Sequence, residues 1–175
     1  MEIAQNYLDS IRFEFERYKT MGDATFAQLD DSDILWRYND LDNSISQIVK
    51  HLSGNMLSRW TNFLTEDGEK PWRHRDTEFE DPFTTKAAMI AAWEKGWQCL
   101  FEALSLVNPD NFDTVIKIRN EDHTLVAAFN RQLAHYAGHV GQIVLMGKMI
   151  KGEKWVSLSI PKGQSEAFNT KKFNK

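Results

Sequence analysis

The chain has 175 residues, enough to bury a substantial core and few enough for a single domain over 1–175. Hydrophobic residues make up 42% and charged residues 26%, the balance of a globular protein rather than a disordered or membrane-embedded one. The formal net charge of -4 argues against a nucleic-acid partner, whose phosphates require a basic surface, and the single cysteine, Cys99, excludes an intramolecular disulfide.

The first residues lack the basic and apolar regions of a secretory leader. No apolar run approaches the roughly 18 residues of a membrane span. The location expected from these features is cytoplasmic, with no membrane contact.

In chain order, the first helix is predicted from about Ile3 to Met21. Leu8, Ile11, Phe15 and Tyr18 recur at steps of three and four, which places them on one helical face, and Gly22 reads as the stop. Residues 23–43 form a long crossing connection. A second helix starts at Ser44, where Ser44 and Gln47 match the capping box that satisfies two orphan backbone donors. Ile45, Ile48, Val49, Leu52, Met56, Trp60 and Phe63 make its apolar stripe.

Residues 65–83 are long for a connection between helices, a length associated with lids and binding loops. A third helix follows Asp81-Pro82, capped by Thr84 or Thr85, and Asn108-Pro109 terminates it. Its face contains Met89, Trp93, Trp97, Leu100 and Leu104. Residues 112–119 alternate polar and apolar and predict a short strand.

The fourth helix runs from about Thr124 to Lys151, with Gly152 as its stop. It is apolar on more than one face, which marks a helix contacted on several sides. Trp155, Val156, Leu158 and Ile160 then predict a tail that packs back on the helices. The fold class expected is all-α, an antiparallel four-helix bundle with long connections and one short strand.

Among the five histidines, His135 and His139 are informative. A four-residue step stacks two imidazoles on one helical face, about 5–6 Å apart at their β-carbons. A metal ion held there needs a third ligand from another helix. His51 lies at the edge of the second helix's apolar stripe, where a side chain can look into the gap between helices. The pattern is not the zinc-protease motif, because Tyr136 stands where that motif places its glutamate base. Three neutral imidazoles with an open position form the donor set of a catalytic metal site, and zinc, nickel and iron(II) all accept it. Zinc is the first expectation. An open position accommodates water or the sulfur of a small-molecule thiol.

These residues also carry a family resemblance. Ser-Ile-Ser-Gln-Ile-Val-Lys-His51-Leu, His135-Tyr-Ala-Gly-His139 and the following Val-Gly-Gln-Ile143 resemble the DinB/YfiT-like metal-binding bundles. The segments from Phe63 to Pro71 and from Leu158 to Ser165 resemble a branch of that superfamily of unknown function. The resemblance implies a four-helix bundle with a three-histidine metal site, commonly a homodimer. Some members are thiol S-transferases or isomerases that use low-molecular-weight thiols. No thiol-recognition motif is identifiable here, so the substrate does not carry over.

Arg131, one turn before His135, Gln142, close to one turn after His139, and Asn55, one turn after His51, are candidate substrate-binding residues. Solvent exposure or a salt bridge is the competing reading for each. Arg73, His74 and Arg75 form a basic cluster expected to pair with Asp76, Glu78 and Glu80, with carboxylate recognition as the alternative. Trp60, Trp93 and Trp97 read as core, and Cys99 as buried and inert. The function expected is a metal-dependent enzyme that activates a thiol for transfer to an electrophilic small molecule. The alternatives are metal-assisted hydrolysis of a small substrate and a non-catalytic dimeric metal-binding protein.

Overall fold

The computed structural model describes residues 2–80 and 82–173; Met1, Asp81, Asn174 and Lys175 lie outside the described residues. The described chain is predominantly helical. Its α-helices are α1 (Glu2–Phe26), α2 (Ile45–Trp60), α3 (Lys86–Ser105), α4 (Leu125–Lys151) and α5 (Ser165–Phe173). One antiparallel hairpin, β1 (Val115–Ile118) and β2 (Glu121–Thr124), precedes α4. Single helical turns at Asp33–Leu35, Asp76–Glu78 and Gly152–Lys154 punctuate the connections. No helix among the described residues is long and apolar enough to cross a membrane.

The helix starts follow their capping chemistry. Ser44 accepts from the Gln47 backbone N–H while the Gln47 side chain accepts from the Ser44 N–H. Thr85 caps α3 by accepting from Ala88, and Thr124 caps α4 by accepting from Ala127. Gly152 ends α4 at φ +53°, a left-handed conformation that favours glycine.

Gly22 does not end α1, which continues to Phe26. The residue is required for closeness instead. A β-carbon on Gly22 would lie 2.5 Å from Cζ2 of Trp93, so its absence lets α3 press its indole onto α1. Trp93 Nε1 then donates to Asp23 Oδ1 at 2.7 Å.

Each of the four long helices packs against two of the others: α2 against α3 and α4, and α1 against α4 and α3. Their buried apolar residues form one cluster with a dense aromatic centre. Trp60 stacks on Phe129 with centroids 4.8 Å apart, and Phe15 and Trp97 lie edge-on to each other at 6.3 Å. Trp60, Trp93 and Trp97 are all core, as their helical spacing predicted.

The tail only half follows its expectation. Trp155 and Leu158 pack against the core, but Val156 is exposed, and α5 has no buried residue. Cys99 is half-buried near Thr61 Oγ1, and burial pushes its thiol pKa up. That favours the unreactive thiol form.

Two connections shape the surroundings of α2. The hairpin turns through Arg119 and Asn120, both at positive φ, +55° and +61°. The Asp67 carboxylate accepts from both turn N–H groups, at 2.8 and 2.7 Å, which fixes the hairpin tip against the loop after α2. That loop is itself fastened to α2. Gly68 O accepts from Ser58 and Arg59, Thr77 O from Lys50 Nζ, and Phe79 O from Gln47. A long connection thus lies flat along α2, and it delivers Glu78 to the side chain of His51.

Candidate metal centre

The three predicted histidines converge. His51, His135 and His139 each offer a ring nitrogen, and these atoms all lie within 4.8 Å of one another. The ring centroids stand 5.2, 5.1 and 4.8 Å apart, a near-equilateral arrangement. His51 is buried, with 3% exposure, and its ring stacks on Phe79; the other two are half-buried.

Hydrogen bonds orient two of the rings. His51 Nδ1 lies 2.9 Å from Glu78 Oε2, so it carries the proton and donates to the carboxylate. The lone pair of His51 is then on Nε2, which faces His135 Nε2 at 3.1 Å. His139 Nδ1 lies 2.8 Å from Gln142 Oε1, which likewise leaves Nε2 as the free donor atom. An imidazole whose far nitrogen is held by a carboxylate or amide oxygen is the usual form of a metal-ligating histidine. A tetrahedral metal bound through nitrogens at about 2.0–2.1 Å sets its ligands roughly 3.3 Å apart, close to the spacing of the two Nε2 atoms. The donor set therefore fits a divalent transition metal.

The electrostatics favour the neutral form of His135 and His139. Burial, then the neighbouring His139 and His51 and the arginines nearby, push His135 down to about 3. Burial also lowers His139, against the opposing hydrogen bond of Gln142. Neutral imidazole is the form that ligates metal.

Glu78 is held in two directions. Burial raises its carboxyl pKa, but the hydrogen bonds from His51 and Arg73 outweigh that and leave it below its ordinary value. Arg73 grips it with both arms, Nε to Oε1 at 2.8 Å and Nη2 to Oε2 at 3.0 Å. Gly54, nearly one turn after His51 on α2, makes room for this carboxylate, since a methyl group there would collide with Oε1. The expected pairing of the 73–75 basic cluster with its acidic neighbours is thus realised by Arg73, and its partner turns out to be part of the site. Glu78 gives no periodic or motif signal, because it reaches His51 only through the folding back of a 27-residue separation.

Beside the triad lies a cavity of about 160 Å³. His51, His135, Asn55 and Gln132 line part of it. Arg59, Arg73, Arg75, Arg119 and Arg131 form the rest. Arg131 and Asn55, two of the candidate substrate-binding residues, line this space. Asn55 is buried, and its Oδ1 accepts from Tyr136 OH, which in turn accepts from Trp60 Nε1, both at 3.1 Å. Gln142 lies instead on His139. His74 is exposed on the loop, and neither it nor His123 belongs to the three-histidine group.

Fold and site together define a helical protein with three histidines placed to hold one metal ion. The model of the DUF1572 family, described as a protein of unknown function, matches residues 2–164, and the chain belongs to that family. No curated protein and no solved structure matches it.

Proposed function

We propose that this protein is a metal-dependent enzyme with His51, His135 and His139 as the ligands of one divalent transition metal, zinc first. The observation that carries the reading is the convergence of three imidazole nitrogens, two of them with the opposite ring nitrogen held by an oxygen acceptor. A four-helix bundle of the DinB/YfiT type, a homodimer and a cytoplasmic location belong to the same reading.

A metal with an open position supplies a positive centre that lowers the pKa of a thiol or a water beside it. The chain's own residues do the rest. Glu78 and Gln142 aim the imidazoles. The arginine-lined cavity orients the substrate, and the Asn55–Tyr136–Trp60 chain stiffens its floor. The reaction proposed is transfer of a low-molecular-weight thiol to an electrophilic small molecule.

Glu78 supports this reading over hydrolysis. Both of its oxygens are committed to Arg73 and His51, so it is not placed to take a proton from water. Elemental analysis of the purified protein should find one metal per chain, and none when all three histidines are replaced by alanine. The loaded protein should conjugate small thiols to electrophiles faster than it turns over generic esters. Equal metal content in the wild type and the triple variant would remove the basis for the proposal. Light scattering of the same preparations tests the dimer.

A further inference from the structure

The lining of the cavity is rich in arginine, and metal ligation does not explain it. Five arginines reach it from four stretches of chain: Arg59 from α2, Arg73 and Arg75 from the following loop, Arg119 from the hairpin turn, and Arg131 from α4. The whole chain is acidic, with a net charge of -4, so this gathering is not a sample of its average surface.

Two carboxylates offset it. Glu78 takes Arg73, and Glu69 takes Arg119 at 3.0 Å with Arg59 further off at 3.9 Å. Among the described residues, neither Arg75 nor Arg131 has an ion-pair partner. Even with Asp67, which acts on Arg59 from a greater distance, the five arginines outnumber the described carboxylates beside them. Like charges brought together beside a buried site repel, and the repulsion is relieved by an anion.

Arg59 carries the same imbalance in its individual atoms. Its side chain is 4% exposed, and burial lowers its pKa. Nη1 donates to Gly68 O, but Nε–H has no partner. Gln132, 1% exposed and also lining the cavity, has an unpartnered atom as well, Oε1. Buried polar atoms of this kind are nearly always satisfied in a folded protein. The Arg59 Nε–H is a donor that an oxyanion in the cavity would complete, whereas Gln132 Oε1 is an acceptor and calls for a donor on the rest of the ligand.

We infer that the cavity is an anion pocket for a small molecule carrying a doubly negative group, a phosphate monoester or a short dicarboxylate, held by Arg59, Arg75 and Arg131. The guanidinium fork matches both kinds of oxyanion. The volume of about 160 Å³ is below that of a drug-sized site, which suits a small charged group. Because His51 and His135 share the wall, the anion would hold its parent molecule against the triad. That the parent molecule is a substrate rests on the proposed function; the anion pocket itself does not.

Calorimetric titration of the full chain tests this, with inorganic phosphate and with malonate as probes. Ionic strength is held constant, and zinc-free and zinc-loaded protein are compared. One dianion per chain should bind saturably in both forms, and the tighter of the two names the source. Acetate should bind at least about tenfold more weakly. The double variant R75A/R131A removes two exposed side chains, and its helicity is checked by circular dichroism. It should weaken the dianion by about tenfold or more, as expected for lost charge-assisted hydrogen bonds. The remote Arg17→Ala should leave binding unchanged. Protein that takes up metal but neither dianion would overturn the pocket and leave the metal reading standing. Unaltered affinity in the double variant would also overturn it. Dianion binding retained in a triple-histidine variant that takes up no zinc would support the pocket independently of the metal.

Discussion

Tyr136 and His135 are neighbours on α4, yet their surroundings have little in common. Tyr136 is fully buried among Phe15, Trp97 and Trp60, and burial pushes its phenol pKa up, so it stays a neutral hydrogen-bonding member of the core. His135 is half-buried, faces two other imidazoles and lies beside a wall of arginines. The core is built from side chains at regular helical steps that exclude water. The site is built from charged groups brought by a loop, a turn and two helices. One helix thus serves both regions without making either depend wholly on the other, so they should fail separately.

The largest expected effect comes from the core. Trp97→Ala removes a fully buried indole from the aromatic centre and should cost about 3–5 kcal/mol in urea unfolding. Protein that remains folded should bind its full complement of metal. Loss of metal in that folded fraction would show that the two regions are one unit.

The site should then fail without the fold. Glu78→Gln keeps the shape and removes the charge behind His51. Metal affinity, measured by competition with a chromophoric chelator, should drop about 10–100-fold while helicity is retained. Gly54→Ala attacks the same carboxylate from α2 and should fall in the same direction. Wild-type affinity in both variants would take Glu78 out of the site.

Acid should distinguish the regions next. The folded pKa of His135, about 3, lies below its ordinary value of 6.5, so the folded state holds fewer protons than the unfolded state. The stability this contributes is present above pH 6.5 and is lost as the pH falls through the window toward 3. His139 shifts in the same direction. Metal-free H135Q should show a shallower loss of urea midpoint than the metal-free wild type as the pH falls through the upper part of that window. Parallel profiles would contradict the burial of a neutral ring at this position. The smallest effect is expected from Ser44→Ala, which removes the cap of α2. It should cost about 1 kcal/mol with no change in metal content.

Much of the core was legible because it is periodic. The apolar stripes of α1 to α4, the Ser44–Gln47 box, the Thr85 cap and the Gly152 stop are local signals, and local chemistry decides them. Gly22 misled because a glycine without context reads as a terminator, whereas here tertiary packing against Trp93 decides its role. Strand β2, Glu-Asp-His-Thr, carries no apolar alternation and exists by pairing with β1. Helix α5 has no apolar face to reveal it. In the site, the histidine pair was visible from spacing, and His51 from its place on a stripe. Glu78 was not, nor was the convergence of five arginines, since these depend on how a loop lies along α2 and where a hairpin tip is pinned by Asp67.

The Glu78 carboxylate is shared between a ring of the triad and an arginine of the cavity, so neither can be displaced without disturbing its grip on the other. An anion that draws Arg73 toward itself would loosen the orientation of His51, and a cation seated on the triad would change the hold on Arg73. Such heterotropic linkage is reciprocal: whatever factor one guest imposes on the other's affinity is returned in full.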